Sequence, residues 1–253
     1  MTLSKVESKI FITPTNADSR IKNFDEIKID LETLAINWVD YLKKYISVTG
    51  KIFGKPEYLW ETNERVLVSS LAASIMQNNK NALIAEELPV HKASAKINAG
   101  RCDLWAHIPH PESNEHFSFY LEAKRFRKIQ TIDTIQGELC SEQGIARMLQ
   151  DNAKATNGRI NLRSAYAKTS DRKHSHNTIG MIVVPMQGEV TPVNDIKNIF
   201  NDVYCSSHKI ENLKRDMSKF PSVGVYLGKS IETKSEALMF ASFSVVGRSE
   251  VSN

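Results

Sequence analysis

The sequence predicts an α/β protein, a sandwich of helices around one mixed β-sheet. Three observations carry this. Apolar residues recur at three- and four-residue steps through Ile27, Leu31, Leu34, Trp38, Leu42 and Tyr45, which is the period of an amphipathic helix. Two alternating runs, at 100–108 and 117–125, flank the turn-forming segment HPESNEH, as the arms of a hairpin do. The run IGMIVVPM at 179–186 is apolar without interruption, as in a strand covered on both faces.

Taken in order, residues 1–23 are polar with a short apolar island at Ile10–Ile12 and read as an irregular arm. The first helix runs from Phe24 to about Ser47, with Thr49 and Gly50 ending it and Gly54 and Pro56 marking a loop. A second helix is expected from about Tyr58 to Gln77, with Glu64 one turn before Leu67, Leu71 and Ile75 on the same face. Three strands follow, at 87–91, 100–108 and 117–125. Next come a helix at about 135–155 bearing Leu139, Ile145 and Leu149, and an exposed loop over 156–177. After the strand at 179–186, residues 194–219 show interrupted helical periodicity, and 223–228 and 237–246 are two closing strands.

Composition narrows the class. The 253 residues suit one elaborated domain, divisible into an N-terminal arm and helix (1–57) packed on a core of 58–253. The formal net charge of +4 permits nucleic-acid binding without requiring it, so the placement of the charge matters more. Cys102, Cys140 and Cys205 are widely spaced, odd in number and form no C-x-x-C pair, which argues against a disulfide framework and fits a reducing cytoplasm. No apolar run reaches membrane-spanning length, the N-terminus lacks a signal-peptide core, and no phosphate-binding glycine loop occurs in the sequence.

The chemistry concentrates in GRCDLW and FYLEAKRFRK. In extended strands Arg101, Asp103 and Trp105 share one face, and Tyr120, Glu122 and Lys124 share another. Hairpin pairing brings Asp103 beside Glu122. Two adjacent carboxylates resolve their repulsion by sharing a cation or by a raised pKa. A hard ion such as Mg²⁺ takes oxygen ligands and keeps water for substrate phosphates. Lys124 would point to the same place, and Glu64 supplies a further carboxylate if its helix packs beneath the sheet. Aspartate within a strand is itself unusual, which strengthens a functional reading of Asp103.

Glu64 on a helix, Asp103 in GRCDL and Glu122-Ala123-Lys124 in FYLEAKR, taken in order, resemble the PD-(D/E)XK nuclease superfamily over residues 58–186. Cys102 stands where the motif name has proline. The resemblance implies a restriction-endonuclease-like core, here with an added N-terminal helix and C-terminal strands. It further implies Mg²⁺-dependent hydrolysis of phosphodiester bonds, with Mn²⁺ able to substitute, and DNA as the favoured substrate over RNA. Asp103 and Glu122 would be metal ligands, the Ala123 carbonyl a backbone ligand, Glu64 a ligand or a holder of metal-bound water, and Lys124 the catalytic lysine.

Around this core, Arg125, Arg127 and Lys128 are candidate phosphate contacts, as are Gln150 and Lys154 (or Gln143 and Arg147) on the following helix. A second basic stretch from Arg159 to Lys173 reads equally as a clamp or a solvated loop. Bland alternatives stand beside each reading. Glu61 competes with Glu64, and Glu122 with Lys124 alone is an ordinary surface pair. His174 and His176 lack zinc-like partners, and Trp38, Trp60 and Trp105 suit a core or an interface. A non-catalytic nucleic-acid binder, or a homodimer or partner-dependent subunit, is the competing function.

Overall fold

The computed structural model describes residues 6–12, 24–91, 99–110, 116–126, 175–186, 193–204, 221–231 and 234–250. The described elements run β1 (Val6–Ile12), α1 (Phe24–Phe53), a 3₁₀ turn (Leu59–Glu61), α2 (Glu64–Asn78), β2 (Leu83–His91), β3 (Ala99–Pro109), β4 (His116–Arg125), β5 (Ser175–Pro185), α3 (Val193–Tyr204), β6 (Ser222–Ile231) and β7 (Lys234–Glu250). The strands form one seven-stranded sheet ordered β1-β6-β7-β5-β4-β3-β2. Only β4 and β5 run parallel; every other neighbouring pair is antiparallel. The α/β class with a mixed sheet is therefore as the sequence predicts.

Alternation sorts the sheet into two faces. One face carries Leu104, Leu121, Ala123, Ile179, Met181, Val183, Val225 and Phe243, all buried in a single apolar cluster with α1 and α2. Within it Trp38 of α1 is fully enclosed, donates Nε1–H to Ser70 Oγ of α2 at 2.8 Å, and meets Phe243 edge-on at 5.5 Å between ring centroids. Ser70 passes its own proton to the Leu67 carbonyl at 2.7 Å, so the buried polar chain is closed. On the opposite face α3 sets Phe200 against Phe11 and Phe240. Gly224 makes that approach possible, because a Cβ there would lie 2.8 Å from the Phe200 ring.

Several boundaries differ from expectation. The N-terminal arm contains β1, whose apolar island pairs with β6 through Ile10↔Val225 and Phe11↔Gly224. Helix α1 does not stop at Thr49-Gly50. Thr49 Oγ1 donates back to the Tyr45 and Ile46 carbonyls inside the helix, and the chain turns only at Gly54, with φ +73°. The expected second helix is divided into the 3₁₀ turn and α2, because the Asn63 side chain accepts the Val66 N–H at 3.0 Å and caps a new start. Strand β5 begins at Ser175, inside the span expected as loop. The expected helix at 135–155, the rest of the 156–177 loop, and Cys140 and Cys205 lie outside the described residues. Among the described residues no helix is long and apolar enough to cross a membrane.

Because Trp38 joins both helices to the sheet, Trp38→Ala is expected to cost about 3–5 kcal/mol. Urea unfolding followed by circular dichroism checks this, and a loss under about 1 kcal/mol would contradict the packing described.

Candidate active site

The hairpin β3–β4 holds its register from Pro109↔His116 to Leu104↔Leu121. The next opposed pair along that register is Asp103 and Glu122, and there the two strands part. The N–H groups on that edge of β4 are obligatory donors, and they pass to side chains instead. Ala123 N–H donates to Asp103 Oδ2 at 2.7 Å, and Arg125 N–H donates to Glu64 Oε2 at 3.0 Å. On the other edge of β4, Phe126 N–H still bonds the Val183 carbonyl of β5 at 2.9 Å. The opening is confined to the β3 side.

Glu64 reaches this opening because it is the first residue of α2, immediately after the Asn63 cap. A carboxylate there also complements the positive end of the helix dipole. Arg125 reinforces the junction by donating Nε–H to the Trp60 carbonyl at 2.6 Å. Lys124 closes the cluster, with Nζ 3.4 Å from Glu122 Oε1 and 3.6 Å from Glu64 Oε1. Glu64, Asp103, Glu122 and Lys124, which sequence reasoning groups, thus meet at one end of β4, and Glu64 rather than Glu61 makes the contacts there.

The charges are strongly coupled. Burial first and Glu122 second push the Asp103 carboxyl from 3.8 up to about 6, while the Ala123 N–H and Lys124 pull more weakly the other way. At Lys124 burial acts most strongly and lowers the pKa, yet Glu122, Glu64 and Asp103 together outweigh it and the net direction is upward. The ammonium is therefore held charged at neutral pH.

Sequence reasoning did not anticipate Glu87. The pairs Glu86↔Leu104 and Leu88↔Cys102 place it opposite Asp103, but its φ is +53° and its Oε1 lies 3.2 Å from Arg65 Nε on α2. Such a backbone costs about 1–3 kcal/mol for a residue with a side chain. Neighbouring Glu86 accepts from Ser69 Oγ of α2 at 2.7 Å, so this edge strand is tied to the helix twice. The register of β2 on β3 would have exposed Glu87's position, but strand pairing is not written in a single sequence.

Arg125, expected at phosphate, has its Nε engaged by Trp60. Arg127, Lys128, Gln143, Arg147, Gln150, Lys154 and the basic stretch 159–173 lie outside the described residues, as does His174. Among the described residues no group of three or more His, Cys, Asp or Glu is arranged to hold a metal. A two-carboxylate arrangement, which Mg²⁺ accepts when waters and phosphate complete its shell, is compatible with Asp103 and Glu122.

Since the Asp103 pKa is higher folded than unfolded, the folded state holds that proton more tightly between pH 3.8 and about 6. Its stabilising contribution is present below the lower value and lost as pH rises through the upper one. Asp103→Asn keeps an acceptor for the Ala123 N–H without the charge. It is expected to be more stable than wild type by about 1–2 kcal/mol near neutral pH, after allowance for solvent screening, with the gain vanishing at about pH 4. Thermal melts across that range check the sign, and a difference independent of pH contradicts it. No family model, curated protein or solved structure matches the chain.

Proposed function

We propose that the chain is a Mg²⁺-dependent nuclease of restriction-endonuclease-like fold that hydrolyses phosphodiester bonds in nucleic acid, DNA before RNA. The observation that supports it most is the parting of β3 from β4 beside Asp103 and Glu122, with Lys124 and Glu64 drawn into the same opening. Structural strand exits do not need three carboxylates and a half-buried lysine at one point.

Asp103 and Glu122 would hold the ion, with the Ala123 carbonyl beside them. That carbonyl lies on the same edge of β4 as the Ala123 N–H, which already faces Asp103. The ion, when bound, lowers the pKa of water and neutralises charge on the phosphate. Lys124, held protonated, is no general base; it offsets the negative charge that builds on the phosphoryl oxygens in the transition state. Glu64 is a positioning residue in this reading, because one oxygen anchors the Arg125 N–H and the other faces the Lys124 ammonium. In hydrolysis the water oxygen bonds to phosphorus and the bond from phosphorus to one sugar oxygen breaks. The water gives up a proton, and the leaving oxygen takes one.

A non-catalytic binder is the second reading, and the ion pairs of Lys124 with Glu122 and Glu64 favour it, since the charges already offset one another. Digestion of single- and double-stranded DNA and RNA with Mg²⁺ separates the two. The nuclease reading expects cleavage that EDTA abolishes and that Lys124→Ala reduces by about 10²–10³-fold. Binding without cleavage of any substrate in Mg²⁺ or Mn²⁺ would leave only the binder.

A further inference from the structure

Helix α1 outruns the core it packs on. Thr49 is its last buried residue, and Lys51, Ile52 and Phe53 beyond it are all exposed. Successive helix residues point about 100° apart, so exposure of all three means that the helix end stands clear of the body on most sides. The turn that follows is equally open. Gly54 and Lys55 are exposed, and no atom lies within 4 Å of where a Gly54 Cβ would sit. The projection is nonetheless anchored at its base. The Glu57 N–H donates to Thr49 Oγ1 at 3.1 Å and the Tyr45 hydroxyl to Glu57 Oε2 at 3.3 Å, before Leu59 and Trp60 enter the core.

Its chemistry is mixed in a particular way. The segment GKIFGKP at 50–56 holds two lysines and no acid. Among the described residues neither Lys51 nor Lys55 forms an ion pair. Val48, Ile52 and Phe53 are 43%, 66% and 60% exposed. Single exposed apolar side chains are common, but three at one tip mark a contact surface.

We infer that this tip is a wedge for double-stranded DNA, with Phe53 and Ile52 entering a base step while Lys51 and Lys55 meet phosphates beside it. A polyanion answers the two unopposed cations, and the base stack is the apolar interior that a polyanion offers to large apolar side chains. Such wedges partly unstack one step and kink the duplex. A single strand would instead need a row of rings to lie along, which one tip does not provide. Position supplies the second argument. Trp60, whose carbonyl holds the Arg125 side chain at 2.6 Å beside the opening, follows Phe53 by seven residues, at most about 25 Å of extended chain. At about 3.4 Å per base pair the wedge falls within about seven base pairs of the opening. That a scissile phosphate lies at the opening rests on the nuclease reading above; the binding of the tip to duplex does not.

The full chain in EDTA is titrated with a DNA duplex carrying 2-aminopurine at successive positions and with the matching single strand. Anisotropy reads binding, and 2-aminopurine emission rises where a step unstacks. The expected result is duplex binding with an emission rise at one step, lost in Phe53→Ala and retained in Phe53→Leu, which keeps an apolar wedge. Lys51→Gln and Lys55→Gln should each lower the slope of log affinity against log salt by about 1. All four substitutions change exposed side chains and should leave the melting temperature at the wild-type value. Tighter binding to the single strand, an emission rise unchanged in Phe53→Ala, or Phe53-dependent binding to anionic phospholipid vesicles in place of duplex overturns the inference. Duplex binding with Phe53-dependent unstacking but no cleavage in Mg²⁺ upholds it and removes the proposed reaction. Cleavage in Mg²⁺ without unstacking, at a rate unchanged in Phe53→Ala, does the reverse.

Discussion

The site depends on the handing over of two backbone N–H groups. Where β3 leaves β4, Ala123 and Arg125 would be left with buried or half-buried donors, and an unmet donor costs about 1–3 kcal/mol. Asp103 and Glu64 take them up. One acid comes from the departing strand itself and the other from the start of α2, so the same bonds that repair the sheet edge also fix the distance between helix and strand. Arg125, bonded through its side chain to the Trp60 carbonyl, locks that junction from the other side.

This repair brings charge into a confined place. Asp103 answers with a carboxyl pKa near 6, and Lys124 with an ammonium held against burial by three acids. Strand β3 itself continues to Ala99 on β2, so the donors are left by the parting of the strands and not by the end of one. Glu87 shows how finely the charge is limited. By register it stands opposite Asp103, yet its backbone adopts a disfavoured conformation and its carboxylate goes to Arg65, sparing the opening a fourth acid. The closed chain from Trp38 through Ser70 to Leu67 ties α2 to α1, whose Trp38 meets Phe243 of the sheet, while these opposing charges sit at the start of α2.

Much of this was legible beforehand, for definite reasons. Alternation in GRCDLW and FYLEAKR, with turn residues between, specified the hairpin and placed Asp103 across from Glu122. The 3.6-residue period put Glu64 on the face of Leu67 and Leu71. Other features rest on tertiary context. Strand β1 is short and does not alternate, with Glu7, Ser8 and Lys9 followed by Ile10, Phe11 and Ile12, and only its pairing with β6 reveals it as a strand. Thr49 and Gly50 carry breaker chemistry that the Thr49 hydroxyl satisfies within the helix. Asn63 falls inside the helix expected from about Tyr58, and only its side-chain bond to the Val66 N–H shows that α2 starts there. Trp105 reads as a core or interface residue, and its place beside His107 follows only from the pairing of β3 with β4.

The central claim is that Asp103 and Glu122 hold a divalent ion at the opening of β3 and β4. Titration of Mn²⁺ into the native chain, read by electron paramagnetic resonance of the free ion, tests it without substrate or turnover. The account predicts a saturable site in wild type that is lost in both Asp103→Ala and Glu122→Ala. Equal Mn²⁺ uptake by wild type and by those two alanine variants, or none by any of them, would contradict it.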